Sequence, residues 1–167
     1  MKNVTFVAAT LAVVAAAAPA MADFGDGLYA AGGDVTVEIL ASSAGYTSDL
    51  SLYSPATIYV GSNRDLGLVV NLGAFASGTE MVFQLFVRDT EQAYFTGPGS
   101  RNPDEIIHAN VTWESANVAI VGFEDIHGGG DFDYNDCTFR FTGVAVPTPG
   151  SLALAGLGGL LSVRRRR

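Results

Sequence analysis

Asp34-Val35-Thr36-Val37-Glu38-Ile39-Leu40 alternates apolar and polar side chains, with Val35, Val37 and Ile39 on one parity and Thr36 and Glu38 on the other. A period of two belongs to a half-buried strand, whose successive side chains point to opposite faces. The same period returns at 81–88. There Met81, Phe83, Leu85 and Val87 share one face, and Val82, Gln84, Phe86 and Arg88 share the other. It returns again at 107–114, with Ile107, Ala109, Val111 and Trp113 opposed to His108, Asn110, Thr112 and Glu114. Residues 57–60, 66–72, 118–123 and 137–141 are further strand candidates.

Turn-forming clusters separate these segments: Gly32-Gly33, residues 42–45, Gly61-Ser62-Asn63, Gly97-Pro98-Gly99 and Gly128-Gly129-Gly130. Glycine and proline punctuate chains in this way because they supply the backbone angles that tight turns need. No amphipathic helical stretch and no internal repeat stands out. About seven to nine short strands at this spacing predict an all-β fold, an antiparallel β-sandwich of jelly-roll type. Residues 23–33 and 143–151 read as flanking linkers.

The ends carry a different signal. Lys2 precedes an uncharged apolar run from Val4 to Ala18, and Ala20-Met21-Ala22 places small residues at a cleavage site before Asp23. Residues 1–22 therefore read as a secretory signal peptide. The run is shorter than the roughly 20 residues of a spanning helix. At the other end, Val146-Pro147-Thr148-Pro149-Gly150 breaks regular structure, residues 152–163 are apolar, and Arg164, Arg165, Arg166 and Arg167 end the chain. As a helix, that apolar segment spans only about 18 Å of a bilayer core of about 30 Å. A terminal arginine cluster holds a segment on the cytoplasmic side of a membrane. The combination reads as a transient anchor that awaits processing.

This tail resembles the PEP-CTERM sorting signals of exported bacterial proteins, in which a proline motif, an apolar stretch and an arginine-rich end follow one another. Thr148 stands where the usual motif has Glu between two prolines. The resemblance implies an exosortase-type processing enzyme as partner. It also implies transient inner-membrane anchoring and a cell-surface or extracellular location. The domain plan is then a signal peptide at 1–22, one β-sandwich domain at 23–146 and a sorting tail at 147–167.

The chain has 17 acidic and 9 basic residues in 167. Between the two ends only Arg64, Arg88, Arg101 and Arg140 face all 17 acids, a formal charge of −13. Such an excess argues against nucleic acid, whose binding needs neutralised phosphates, and against anionic lipid surfaces. It suits cation binding or a solvated surface. One cysteine, Cys137, excludes an internal disulfide framework. It alternates with Phe139 and Phe141, as a small buried apolar residue would.

The densest chemistry lies at Glu124-Asp125-Ile126-His127-Gly128-Gly129-Gly130-Asp131-Phe132-Asp133-Tyr134-Asn135-Asp136, five carboxylates and one amide in 13 residues. Like charges this close repel one another unless a cation neutralises them. Calcium is hard and takes six to eight oxygen ligands, so it suits this donor set. Asp131, Asp133 and Asp136 are the leading candidate ligands and Asn135 the next. Glu124 and Asp125 either close the site or pair with an arginine. Upstream, Asn102-Pro103 starts a turn, and Asp104 is placed to add an oxygen. The other reading gives these side chains to turn capping through local hydrogen bonds.

The spacing is not that of an EF-hand, because Asp136 and Thr142 stand where that loop needs Gly and Glu. Zinc is disfavoured by one Cys, two His and hard oxygen neighbours.

Residues 122–136, with Phe139, resemble an uncharacterised domain family of exported bacterial proteins that often carry PEP-CTERM tails. The motifs are Gly122-Phe123-Glu124-Asp125, the glycine run, and Asp131-x-Asp133-x-Asn135-Asp136. Residues 95–104, with His108-Ala109, resemble that family's second motif. The resemblance implies an extracellular, calcium-binding β domain without an established activity. Cys137 replaces an expected larger aliphatic residue.

The leading expectation is an exported, non-enzymatic surface or matrix module that binds calcium and a glycan or neighbouring protein. The alternatives are a polysaccharide hydrolase, with Glu124 and Asp131 as its carboxylates, and a purely structural, self-associating surface protein. No G-x-S-x-G or H-E-x-x-H pattern supports catalysis.

Overall fold

The computed structural model describes residues 27–146. The signal peptide expected at 1–22 and the sorting tail expected at 147–167 lie outside the described residues. Within them the chain forms strands joined by turns, with one short 3-10 turn at Gly99–Arg101. The strands are β1 (Leu28–Ala30), β2 (Gly33–Ala41), β3 (Ser48–Ser54), β4 (Ile58–Ser62), β5 (Val69–Phe75) and β6 (Glu80–Val87). They continue as β7 (Gln92–Phe95), β8 (Ala109–Ser115), β9 (Val118–Phe123), β10 (Cys137–Thr142) and β11 (Val144–Ala145).

These strands make two antiparallel sheets. One runs β11-β1-β6-β3-β4, with β7 also paired to β6, and the other runs β5-β2-β10-β9-β8. The expected all-β sandwich is what the chain forms. Strand parity sets its interior. Val35, Val37 and Ile39 from β2, and Met81, Phe83, Leu85 and Val87 from β6, are fully buried. Phe83 from one sheet meets Phe141 from the other with ring centroids 4.5 Å apart. Burying each such ring stabilises the fold by about 1.5–3 kcal/mol. Cys137 is fully buried, and burial pushes its thiol up to about 12, so it behaves as a small apolar residue.

Three expectations change. The segments read as linkers contain β1 and β11, which pair with each other at Tyr29–Ala145 and Ala30–Val144. β1 also pairs with the start of β6. Strands this short carry too few residues to show a period. Second, the strand expected at 66–72 begins only at Val69, and Leu66 and Leu68 are exposed. The Leu68 N–H donates to the Asp65 carbonyl at 3.0 Å, which closes a turn over Leu66 and Gly67. Third, β3 and β7 join the expected strands. β3 pairs with both β4 and β6 and so sits inside its sheet.

Candidate metal centre

β9 and β10 pair antiparallel, with Phe123 opposite Cys137. The connection between them is residues 124–136, far longer than the usual two to five residues of a hairpin loop. Gly122, near the end of β9, lets this loop fold back. A Cβ at that position would lie 1.9 Å from the Tyr134 carbonyl oxygen, so only glycine allows the approach. Phe132 and Tyr134 adopt left-handed backbone angles, with φ of 62° and 54°. Bulky residues pay for that conformation in strain, which collects at functional sites. The two left-handed residues alternate with Asp131 and Asp133 and coil the segment tightly.

The coil brings Glu124, Asp131 and Asp133 together. One carboxylate oxygen from each lies within 4.8 Å of the other two. Two oxygens on one calcium ion, each about 2.4 Å from it, stand at most about 4.8 Å apart. The three carboxylates are therefore close enough to share one hard cation. Glu124 is buried, whereas Asp131 and Asp133 are exposed, so the group opens to solvent. Burial raises the Glu124 carboxyl. The Tyr134 N–H, which donates to Oε1 at 2.5 Å, works against that, and the charges of Asp136, Asp131 and Asp133 add to the rise. A cation among these oxygens would relieve the repulsion.

The remaining candidates hold the loop in shape. The Asn135 amide donates to Asp133 Oδ2 and accepts from the Ser43 hydroxyl. The Asp133 Oδ1 also accepts the Asn135 N–H at 3.2 Å, a local turn-closing bond of the kind that the capping reading describes. Asp136 accepts the Asp125 N–H at 3.0 Å. Asp125 is buried and takes a 3.4 Å hydrogen bond from the Ser48 hydroxyl. Burial, then the neighbouring Asp136, pushes the Asp125 carboxyl up to about 6.

Asn102 and Asp104 serve the adjoining turn. Asn102 Oδ1 accepts the Phe95 N–H at 2.7 Å, and its amide donates to the Ile106 carbonyl at 2.6 Å. Both ends of this buried amide are thus spent on backbone. Asp104 accepts from Gly128 N–H at 2.8 Å and from Ile106 N–H at 3.2 Å, and lies 2.9 Å from His108 Nε2. Burial acts to raise its carboxyl, but the Gly128, His108 and Ile106 donors outweigh that and hold it at about 2. Asp104 thus pins the start of the glycine run from outside the carboxylate group.

His108 ties the two regions together. Its backbone carbonyl accepts the Glu124 N–H at 2.9 Å, and its Nδ1 meets the Glu124 carbonyl at 3.0 Å. The ring stacks on Tyr94, centroids 3.7 Å apart and planes 13° from parallel. His108 is hydrogen-bonded rather than solvated: its ring is fully buried between the Glu124 carbonyl and the Asp104 carboxylate. Sequence reasoning missed Ser43, Ser48 and Tyr94 altogether. Ser43 lies 92 residues from Asn135, and no local pattern marks such a pair.

No curated protein matches the chain. Among solved structures, the lectin CV2L of Chromobacterium violaceum, in complex with alpha-methyl-fucoside, is similar at 18% identity and a TM-score of 0.37. The match covers 70% of this chain and 94% of that one. A likeness at that score carries no argument about this chain. Residues 75–144, from the last residue of β5 to the first of β11 and including the whole acidic loop, match the family model described as domain of unknown function (DUF4114).

Proposed function

We propose that the chain is an exported, non-catalytic β-sandwich module whose 124–136 loop binds calcium. It serves at the cell surface or in the extracellular matrix as a binding or structural unit for glycan or a neighbouring protein. The observation that carries the metal reading is the meeting of Glu124, Asp131 and Asp133 oxygens within 4.8 Å. Asp136, Asp125 and Asn135 supply further oxygens close by in the chain, and calcium's need for six to eight ligands leaves room for backbone carbonyls and water.

Export supports calcium over other cations. An exported loop meets calcium near millimolar, so a site with Kd of about 10⁻⁴–10⁻³ M is filled. The two ends support the location: a signal-peptide pattern at 1–22 and a proline-apolar-arginine tail at 147–167 that an exosortase-type enzyme would process after transient anchoring.

Isothermal titration with calcium, paired with melting curves before and after chelation, tests the metal. Binding at or below millimolar and a melting point lowered by chelator are expected. No heat of binding, with melting unchanged by chelator, sinks the metal reading. Cell fractionation of strains with and without residues 147–167 tests the location.

A further inference from the structure

The outer face of the six-stranded sheet carries a row of side chains that are not part of the acidic loop. Register places Tyr59 of β4 beside Ser51 of β3, Ser51 beside Gln84 of β6, and Gln84 beside Phe95 of β7. All four point away from the core, because their chain neighbours Val60, Leu50, Leu52, Phe83, Leu85 and Tyr94 are buried. Three strand spacings put Tyr59 and Phe95 roughly 14 Å apart. Tyr53, the next outward residue of β3, stands edge-on to Phe95 with centroids 5.1 Å apart and planes at 71°. Tyr53 and Tyr59 are 54% and 57% exposed.

The order of the groups along this row bears on the kind of partner it fits. A protein interface has an apolar centre and a polar rim. The Tyr59-Ser51-Gln84-Phe95 row runs the other way, with aromatic rings at its flanks and Ser51 and Gln84 between them, while Val82 and Phe86 stand beside Gln84 along β6 on the same face. Among the described residues, neither the Ser51 hydroxyl nor the Gln84 amide has a hydrogen-bond partner.

The charges on the face are already matched. Arg88 clamps Asp49 with bonds of 2.6 and 2.7 Å, and the Tyr59 hydroxyl donates to the same carboxylate at 3.2 Å. A charged polymer would find no free counter-charge there. A sugar chain has apolar C–H faces for the rings and hydroxyls for the polar centre. Tyrosine suits such a ligand, being apolar in body and polar at the tip.

We propose that this sheet face is a platform for a neutral polysaccharide, with Tyr59 and the Tyr53–Phe95 pair stacking on sugar rings while Ser51 and Gln84 hydrogen-bond the hydroxyls between them. The proposal deepens the reading of the chain as a glycan-binding module, and its site is separate from the calcium loop.

Affinity electrophoresis of the full chain tests it. The gels contain a neutral β-glucan, a galactomannan or dextran, with alginate as the anionic control. At least one neutral polymer is expected to retard the protein, and alginate is not. Tyr59→Ala and Tyr53→Ala each weaken retardation by about tenfold, the loss of one good stacking contact. Tyr59→Phe keeps most of it, and Gln84→Ala weakens it without lowering the melting point.

Asp131→Asn, which disables the loop, leaves retardation in place. Calcium binding and retardation can therefore fail separately. Three results overturn the proposal: no neutral polymer retards the protein, the tyrosine variants run like the parent, or retardation follows the loop variant instead. A dimer in sedimentation velocity that Tyr59→Ala dissolves would also overturn it, by making the face a contact between copies.

Discussion

His108 Nε2 lies 2.9 Å from Asp104 Oδ2, and the ring between that carboxylate and the Glu124 carbonyl is fully buried. The pair joins the turn after β7 to the first residue of the acidic loop. His108→Ala removes the stacked ring beneath Tyr94 and leaves Asp104 and the Glu124 carbonyl short of a donor. Urea unfolding should show a loss of about 2–4 kcal/mol. A loss under 1 kcal/mol would mean that the pair is not a structural tie.

Calcium should raise the melting point of the parent chain. At about 10 mM calcium, a site with Kd of 10⁻⁴ M contributes about 2.7 kcal/mol, and one of 10⁻³ M about 1.4 kcal/mol. Asp133→Asn and Glu124→Gln should each cancel most of that gain in differential scanning calorimetry. A gain that survives in both variants would place the ion elsewhere.

Two carboxyls give opposite pH signatures in the calcium-free protein. Asp125 sits at about 6 in the fold, above its usual 3.8. The folded state then holds its proton more tightly than the unfolded one, so this stabilisation is full below 3.8 and is lost as pH rises through 6. Asp104 sits at about 2, below 3.8. Its stabilisation is full above 3.8 and is lost as pH falls toward 2. In chelator, melting should therefore be higher at pH 5 than at pH 7.5 and should fall again below pH 4. Asp125→Asn should flatten the first slope and leave the second. A parent protein that melts lower at pH 5 than at pH 7.5 would contradict the Asp125 assignment.

Gly122→Ala tests the loop's fold-back. The new methyl meets the Tyr134 carbonyl, a rigid backbone atom that cannot swing away. A cost of about 1–3 kcal/mol is expected, along with weaker calcium binding, because Tyr134 N–H holds Glu124 in place. Unchanged stability with unchanged calcium affinity would show that the loop has room to shift.

Much of the sandwich was legible in the residues themselves. The parity of Val35, Val37 and Ile39, and of Met81, Phe83 and Leu85, is a local property of the chain, and it names the buried face without reference to any other strand. The acidic loop was legible for the same reason. Its carboxylates crowd within 13 residues, and three of them do meet. The glycine run Gly128-Gly129-Gly130 marked a turn there, whereas the close approach at Gly122 came only from the fold. β1, β7 and β11 were not legible. With four residues or fewer, each shows no usable period, and each exists because a longer neighbour offers it backbone partners.

The sequence by itself determined an all-β chain, its inward faces and the place of its acidic chemistry, since side-chain alternation and charge density are written residue by residue. Only the tertiary structure decided which oxygens converge, and which are spent elsewhere. Glu124 joined Asp131 and Asp133, while Asn102 and Asp104 went to the turn and to His108. It alone aligned Tyr59, Ser51, Gln84 and Phe95 across four strands. The physical reason is register. Strand pairing joins residues far apart in the chain, and its energy lies in contacts that no local window contains.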